Sequence, residues 1–106
     1  MDIDDAITQM TALSARSRLD VLLLLAKHGG EKGMQLPEIA RRLDVSPNNL
    51  PTHLLHLSNA RLVRVRRESR SVVYSACLES VHEMIQFLAE ECAGNRVTVT
   101  LKNPVT

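Results

Sequence analysis

Five polar side chains within one short stretch, Asn48, Asn49, Thr52, His53 and His56, carry the clearest chemistry in this sequence. An Asn amide donates and accepts at once, which is the pattern an adenine edge presents in the major groove of DNA, and Thr and His add further donors and acceptors. All five lie off a Leu50-Leu54-Leu57 stripe whose 3.6-residue period predicts a helix with that stripe turned inward. The plainer reading of His53 and His56, three residues apart, is a satisfied surface or core pair. A second set is cationic: Arg41 and Arg42 precede the stripe, and Arg66, Arg67 and Arg70 follow it. Guanidinium groups in those places suit phosphate oxygens or a narrow minor groove.

The third set is the two thiols, Cys77 and Cys92. Fifteen residues apart on one helix means about 22 Å of rise, so they cannot bond within a chain. They fall on nearly the same helical face with Val81, Met84 and Leu88 between them. In a two-fold dimer packing these helices antiparallel about Met84 and Ile85, Cys77 of one chain would face Cys92 of the other. Such a pair suits oxidation, persulfide exchange or a two-coordinate soft metal. The plainer reading is two small buried hydrophobes. His82 and Glu83 point about 100° apart and cannot by themselves make a zinc centre, so no metal site is assigned.

Short elements must position these groups. Ile3, Ile7 and Met10, with Ala6 and Leu13 near the same stripe, predict a first helix with one apolar face that needs a partner. From Ser14 or Ser17 to Lys27 a second helix is predicted, with Leu19, Leu22, Leu23 and Ala26 as its stripe and His28-Gly29-Gly30 as its stop. Pro37 reads as a first-turn proline for a short helix ending near Asp44, with Ile39, Ala40 and Leu43 on its apolar side. Ser46-Pro47 then leads into the Asn48 to Arg61 helix, and two short helices joined by a tight turn make a helix-turn-helix. Leu62, Val63 and Val65, a polar turn, and Val72, Val73 and Tyr74 predict a β-hairpin with an arginine-rich tip. A last helix spans about Leu78 to Ala93 with Gly94-Asn95 as its stop, and Val97 to Leu101 alternates like an edge strand or a frayed end. The fold expected is mainly α with a β-hairpin wing: residues 1–94 as one domain, 95–106 as a tail.

Composition narrows the partners. With 106 residues the chain is one domain's worth, and its core is small enough that dimerisation would help to hide apolar surface. Phe87 and Tyr74 are the only aromatics, which argues against single-strand nucleic-acid folds that stack bases on rings. The run from Val21 to Ala26 is far short of a membrane span, and two cysteines with no leader-like start point to the reducing cytoplasm. The net charge of +1 hides an uneven distribution: residues 36–76 hold seven Arg against three acids, and the remainder six Lys and Arg against nine acids. One basic stretch between acidic flanks suits a polyanion-binding face, whereas nothing places a nucleophile, base and oxyanion donors together as an enzyme would.

Several stretches resemble the ArsR/SmtB bacterial transcriptional repressors. They are Ala12-Leu13-Ser14-Ala15-Arg16-Ser17-Arg18-Leu19, the run from Leu36 to Ser46, His53-Leu54 through Ala60-Arg61-Leu62-Val63, and Arg66-Arg67-Glu68 with Val73-Tyr74. The resemblance spans roughly residues 8 to 93. It implies a winged helix-turn-helix homodimer on a double-stranded DNA operator, released by a metal, metalloid or other signal. The terminal helices would form the interface through Ile3, Ile7, Met10, Val81, Met84, Ile85 and Leu88. Family cofactor sites are missing: Met34 to Glu38 has no Cys-x-Cys pair, Leu78, Ser80 and Glu91 stand at zinc positions, and Glu90-Glu91-Cys92-Ala93-Gly94 keeps one thiol. The inducer and any cofactor therefore stay unknown, with Cys77 and Cys92 as candidate sensor thiols. Two further departures bear on the site. Pro51 would break a helix in mid-run, so the helix is expected to start at Asn48 or Asn49 with that residue as its cap. Ser69 stands in the wing turn where many relatives carry Gly. The alternative reading is a winged-helix protein-interaction module without DNA readout.

Overall fold

A computed structural model describes residues 1–93 of the chain. Helix α1 (Ile3–Leu13) starts where the Asp2 carboxylate accepts the Asp5 amide proton at 2.8 Å, and Asp4 and Asp5 sit in its first turn against the positive helix end. Helix α2 (Arg16–Leu24) runs on through a wider turn, Leu25–Gly29, and Gly30 leaves it with a φ of 58°. Helix α3 (Leu36–Leu43) takes Pro37 in its first turn and ends at Asp44, whose left-handed φ of 53° lets the Val45 amide reach back to the Ala40 carbonyl at 3.0 Å. Helix α4 (Leu50–Asn59) follows, then strands β1 (Val63–Glu68) and β2 (Ser71–Ala76), then α5 (Leu78–Ala93).

Leu25, Ile39, Leu54, Leu57, Leu62 and Val21 are the largest fully buried side chains, so the core lies where α2, α3 and α4 meet the root of the hairpin. The periodicity located this core on α4, where Leu50, Leu54 and Leu57 are all buried. On α2 the phase differs from expectation: Val21, Leu22 and Leu25 are buried, while Leu19 and Leu23 are exposed. A helix apolar nearly all round has no unique inward face in its own sequence, and its neighbours choose one.

The hairpin is antiparallel, in a register that runs from Val63 opposite Ala76 to Glu68 opposite Ser71, leaving a two-residue loop of Ser69 and Arg70. Tyr74 also exchanges backbone hydrogen bonds with Met34, at 2.8 and 2.9 Å, and so clips the wing to the segment before α3. Gly33 makes that approach possible, because a Cβ there would lie 2.4 Å from the Tyr74 carbonyl oxygen. Ser69 has a φ of 54°, at the first loop position, where tight hairpins favour Gly. A left-handed non-glycine residue costs roughly 1–2 kcal/mol. Ser69→Gly is therefore expected to raise stability by roughly 0.5–1 kcal/mol in urea unfolding, after the loss to the more flexible unfolded chain. An unchanged or lower midpoint would mean that the loop strain is relieved in some other way. The tail from Val97 to Leu101 and the Gly94-Asn95 stop lie outside the described residues.

Candidate nucleic-acid interface

The turn between α3 and α4 spans residues 44–49, longer than the tight turn expected. Pro51 sets this length. It occupies the first turn of α4, where its missing N–H costs nothing, so the helix starts at Leu50. Asn49 stands at the cap position, but its side chain makes no capping bond, which leaves the amide free. Asn48 is exposed, with its backbone N–H directed at the Ser46 hydroxyl at 3.3 Å. The helix stops at Asn59, short of the expected Arg61, because Arg61 turns into the left-handed region with a φ of 62°.

With the Leu50-Leu54-Leu57 stripe buried, the opposite side of α4 presents Thr52, Leu55, His56 and Asn59, all exposed. Of the five polar residues singled out in the sequence, Asn48, Asn49, Thr52 and His56 therefore face outward. His53 is half-buried: with Ser17, Asp20, Ser46 and Asn49 it lines a small cavity of about 130 Å³, and its Nδ1 is buried without a hydrogen-bond partner. Leu55 and Asn59 are the outward residues that the sequence reading missed. Both lie opposite the leucine stripe, so the period that marks the inner face also marks them as outward.

The arginines divide in two. Arg42 pairs with Glu38 at 3.0 Å on α3. Arg66 binds the Glu68 carboxylate at 2.6 Å and donates to the Lys32 carbonyl at 3.1 Å, so it folds back onto the segment beneath the wing. Arg41, Arg67 and Arg70 are exposed and form no ion pair among the described residues. Surface pairs of this kind are worth only about 0–1 kcal/mol, so Arg42 and Arg66 are held loosely, but the unpaired three are ready for another anion.

Away from this face, Ile3, Ile7 and Met10 are 65, 51 and 39% exposed and line an open apolar cleft with Phe87 and Leu88. Of the other expected interface residues, Met84 is buried within the chain, Val81 packs against the core and Ile85 is half-buried. Gln9 anchors the inner side of α1 by donating from Nε2 to the Ala60 carbonyl at 3.1 Å.

The thiols differ in access: Cys77 is buried with its sulfur 3.2 Å from the Ser80 hydroxyl, and Cys92 is exposed near the end of α5. Iodoacetamide should therefore alkylate Cys92 in the native chain at least tenfold faster than Cys77, with the difference vanishing in denaturant. Equal native rates, read by peptide mass spectrometry, would show that the α5 N-terminus opens readily. Among the described residues no three His, Cys, Asp or Glu side chains are grouped to hold a metal ion, and no helix is long and apolar enough to cross a membrane.

Three core helices, two of them joined as a helix-turn-helix, with a two-stranded wing, define a winged helix-turn-helix fold. A family described as a helix-turn-helix domain matches residues 13–66. The transcriptional activator HlyU of Vibrio cholerae is 29% identical over 83 residues, covering 78% of this chain and 73% of HlyU. An ArsR-like transcriptional regulator from Rhodococcus sp. RHA1 superposes with a TM-score of 0.76 at 24% identity, over 86% of this chain and 82% of its own. The homodimeric winged helix-turn-helix DNA-binding domain Mb0332 of Mycobacterium bovis superposes with a TM-score of 0.67 at 22% identity, over 92% and 90%. The chain belongs to this helix-turn-helix family, and its fold is that of the ArsR-like regulators on which it superposes.

Proposed function

We propose that the chain acts as a homodimeric, sequence-specific repressor that occupies double-stranded DNA through two copies of α4. One observation carries this reading: α4 contains no Lys, Arg, Asp or Glu, while unpaired arginines stand in the helix before it and the wing after it. A helix without Lys or Arg draws little on phosphate attraction and is suited to base edges, whereas Arg41, Arg67 and Arg70 are suited to the backbone. Asn48, Asn49, Thr52 and His56 then read bases. Arg42 and Arg66 keep their surface pairs and leave the phosphates to those three, and His53 supports the turn from inside. Occupancy excludes other proteins from the same duplex, which is repression in its simplest form.

The dimer is built on the α1 and α5 cleft, where exposed Ile3, Ile7, Met10 and Leu88 are otherwise left in water. The homodimeric Mycobacterium bovis domain supports this reading. The work is done in the cytoplasm. A soft metal, metalloid or thiol oxidant would meet Cys92 first, and Cys77 must be uncovered before it can join a partner's Cys92.

The test is fluorescence anisotropy of the reduced protein on DNA from upstream of its own gene, in a salt series, before and after arsenite, zinc or a mild oxidant. Tight binding that weakens steeply with salt and is lost with one additive is expected. Absence of DNA binding under all conditions would leave a winged-helix protein-interaction module.

A further inference from the structure

We infer that Leu55 is a specificity-determining residue that reads a thymine, by seating the base's C5-methyl group against its side chain with Thr52 beside it. The inference rests on the proposed role of α4 as the groove helix and says what one of its positions recognises. Leu55 is 59% exposed, second only to Ile3 among the large apolar side chains of the described residues. It does not line the apolar cleft of α1 and α5, so the proposed dimer contact leaves it uncovered. It stands instead on the outward side of α4, opposite Leu50, Leu54 and Leu57.

Its neighbours there are Thr52, three residues before it, and Asn59, four residues after it, with His56 next to it in sequence. The Thr52 side chain is exposed, so its methyl and hydroxyl are both open to a ligand. An apolar side chain between hydrogen-bonding ones, on a face without Lys, Arg, Asp or Glu, is matched by the major-groove edge of an A·T pair. The thymine methyl is the only apolar group any base offers in that groove. Placing Leu55 against it removes apolar surface on both sides from water. A cytosine or guanine in its place would set a polar edge against the leucine and leave that edge without a partner.

The experiment starts from a duplex selected out of a random pool by the wild-type chain, in which each thymine is replaced in turn by deoxyuridine. Uracil keeps every hydrogen-bonding group of thymine and lacks only the methyl. At one thymine of each half-site the replacement should weaken wild-type binding about fourfold, the transfer value of one methyl group, and about fifteenfold when both half-sites are changed. Leu55→Ala should bind thymine and uracil duplexes equally, and Leu55→Met should keep most of the preference. Because Leu55 is exposed, the Ala variant should melt at the wild-type temperature, which separates lost recognition from lost folding.

A preference for thymine that persists unchanged in Leu55→Ala, or no thymine whose methyl matters, overturns the inference while leaving DNA binding intact. Failure of the wild-type chain to select any duplex overturns the groove-helix reading on which it stands.

Discussion

Ile7→Glu is expected to convert the chain from dimer to monomer at micromolar concentration and to weaken operator binding by at least a hundredfold. Ile7 is 51% exposed in the middle of a stripe formed with Ile3 and Met10, and the stripe faces Phe87 and Leu88 across an open cleft. Two-fold symmetry places every interface residue twice, so one substitution removes two buried isoleucines and introduces two carboxylates. Losing two apolar side chains costs roughly 3 kcal/mol or more, and desolvating the carboxylates adds to it. That is about two powers of ten in the dimer constant. DNA affinity falls with it, because a monomer engages one half-site and loses the second binding event.

Sedimentation and anisotropy on the same samples measure both effects. Leu55→Ala, at a still more exposed leucine outside the cleft, is the control for sedimentation and should remain dimeric. A dimer of undiminished strength in Ile7→Glu would move the interface to another surface, such as the exposed Leu19 and Leu23 of α2.

How far these features were legible in the sequence depended on whether one element or several determined them. The leucine stripe of α4 was legible because period, burial and helix coincide within ten residues. Pro51 fixed the start of α4 by local covalent geometry alone. The Ile3-Ile7-Met10 stripe was legible as apolar, but the chain folds Ala6, Gln9 and Ala12 inward and leaves the isoleucines outside. Nothing in a helical pattern distinguishes an inner face from one kept for a partner, and a glutamine that buries itself to hold the Ala60 carbonyl gives no periodic signal.

Arg66 was placed by sequence with the other wing arginines. Its retreat toward Lys32 follows from the Met34 to Tyr74 clip, a contact between segments 40 residues apart that no local pattern encodes. His53 likewise turned inward because α2 and the α3–α4 turn close around it.

The division of the arginines makes the second large prediction, on the salt dependence of binding. If Arg41, Arg67 and Arg70 of each chain contact phosphates, a dimer neutralises six, and the slope of log affinity against log salt is roughly −5. Raising salt from about 50 to 200 mM should then weaken binding by roughly a thousandfold or more. The double variant Arg67→Ala/Arg70→Ala removes four of the six contacts, which predicts a slope near −2 and a loss of only about tenfold over the same range. Both side chains are exposed and unpaired, so the double variant should fold as the wild type does.

Arg66→Ala tests the same argument from the other side. Its guanidinium is engaged by Glu68 and the Lys32 carbonyl, so its removal should leave the slope nearly unchanged and act mainly by loosening the wing. Should the double variant keep the wild-type slope while Arg66→Ala lowers it most, the wing must rearrange on DNA. In that case the free arginines at the tip are solvated and the paired one carries the contact.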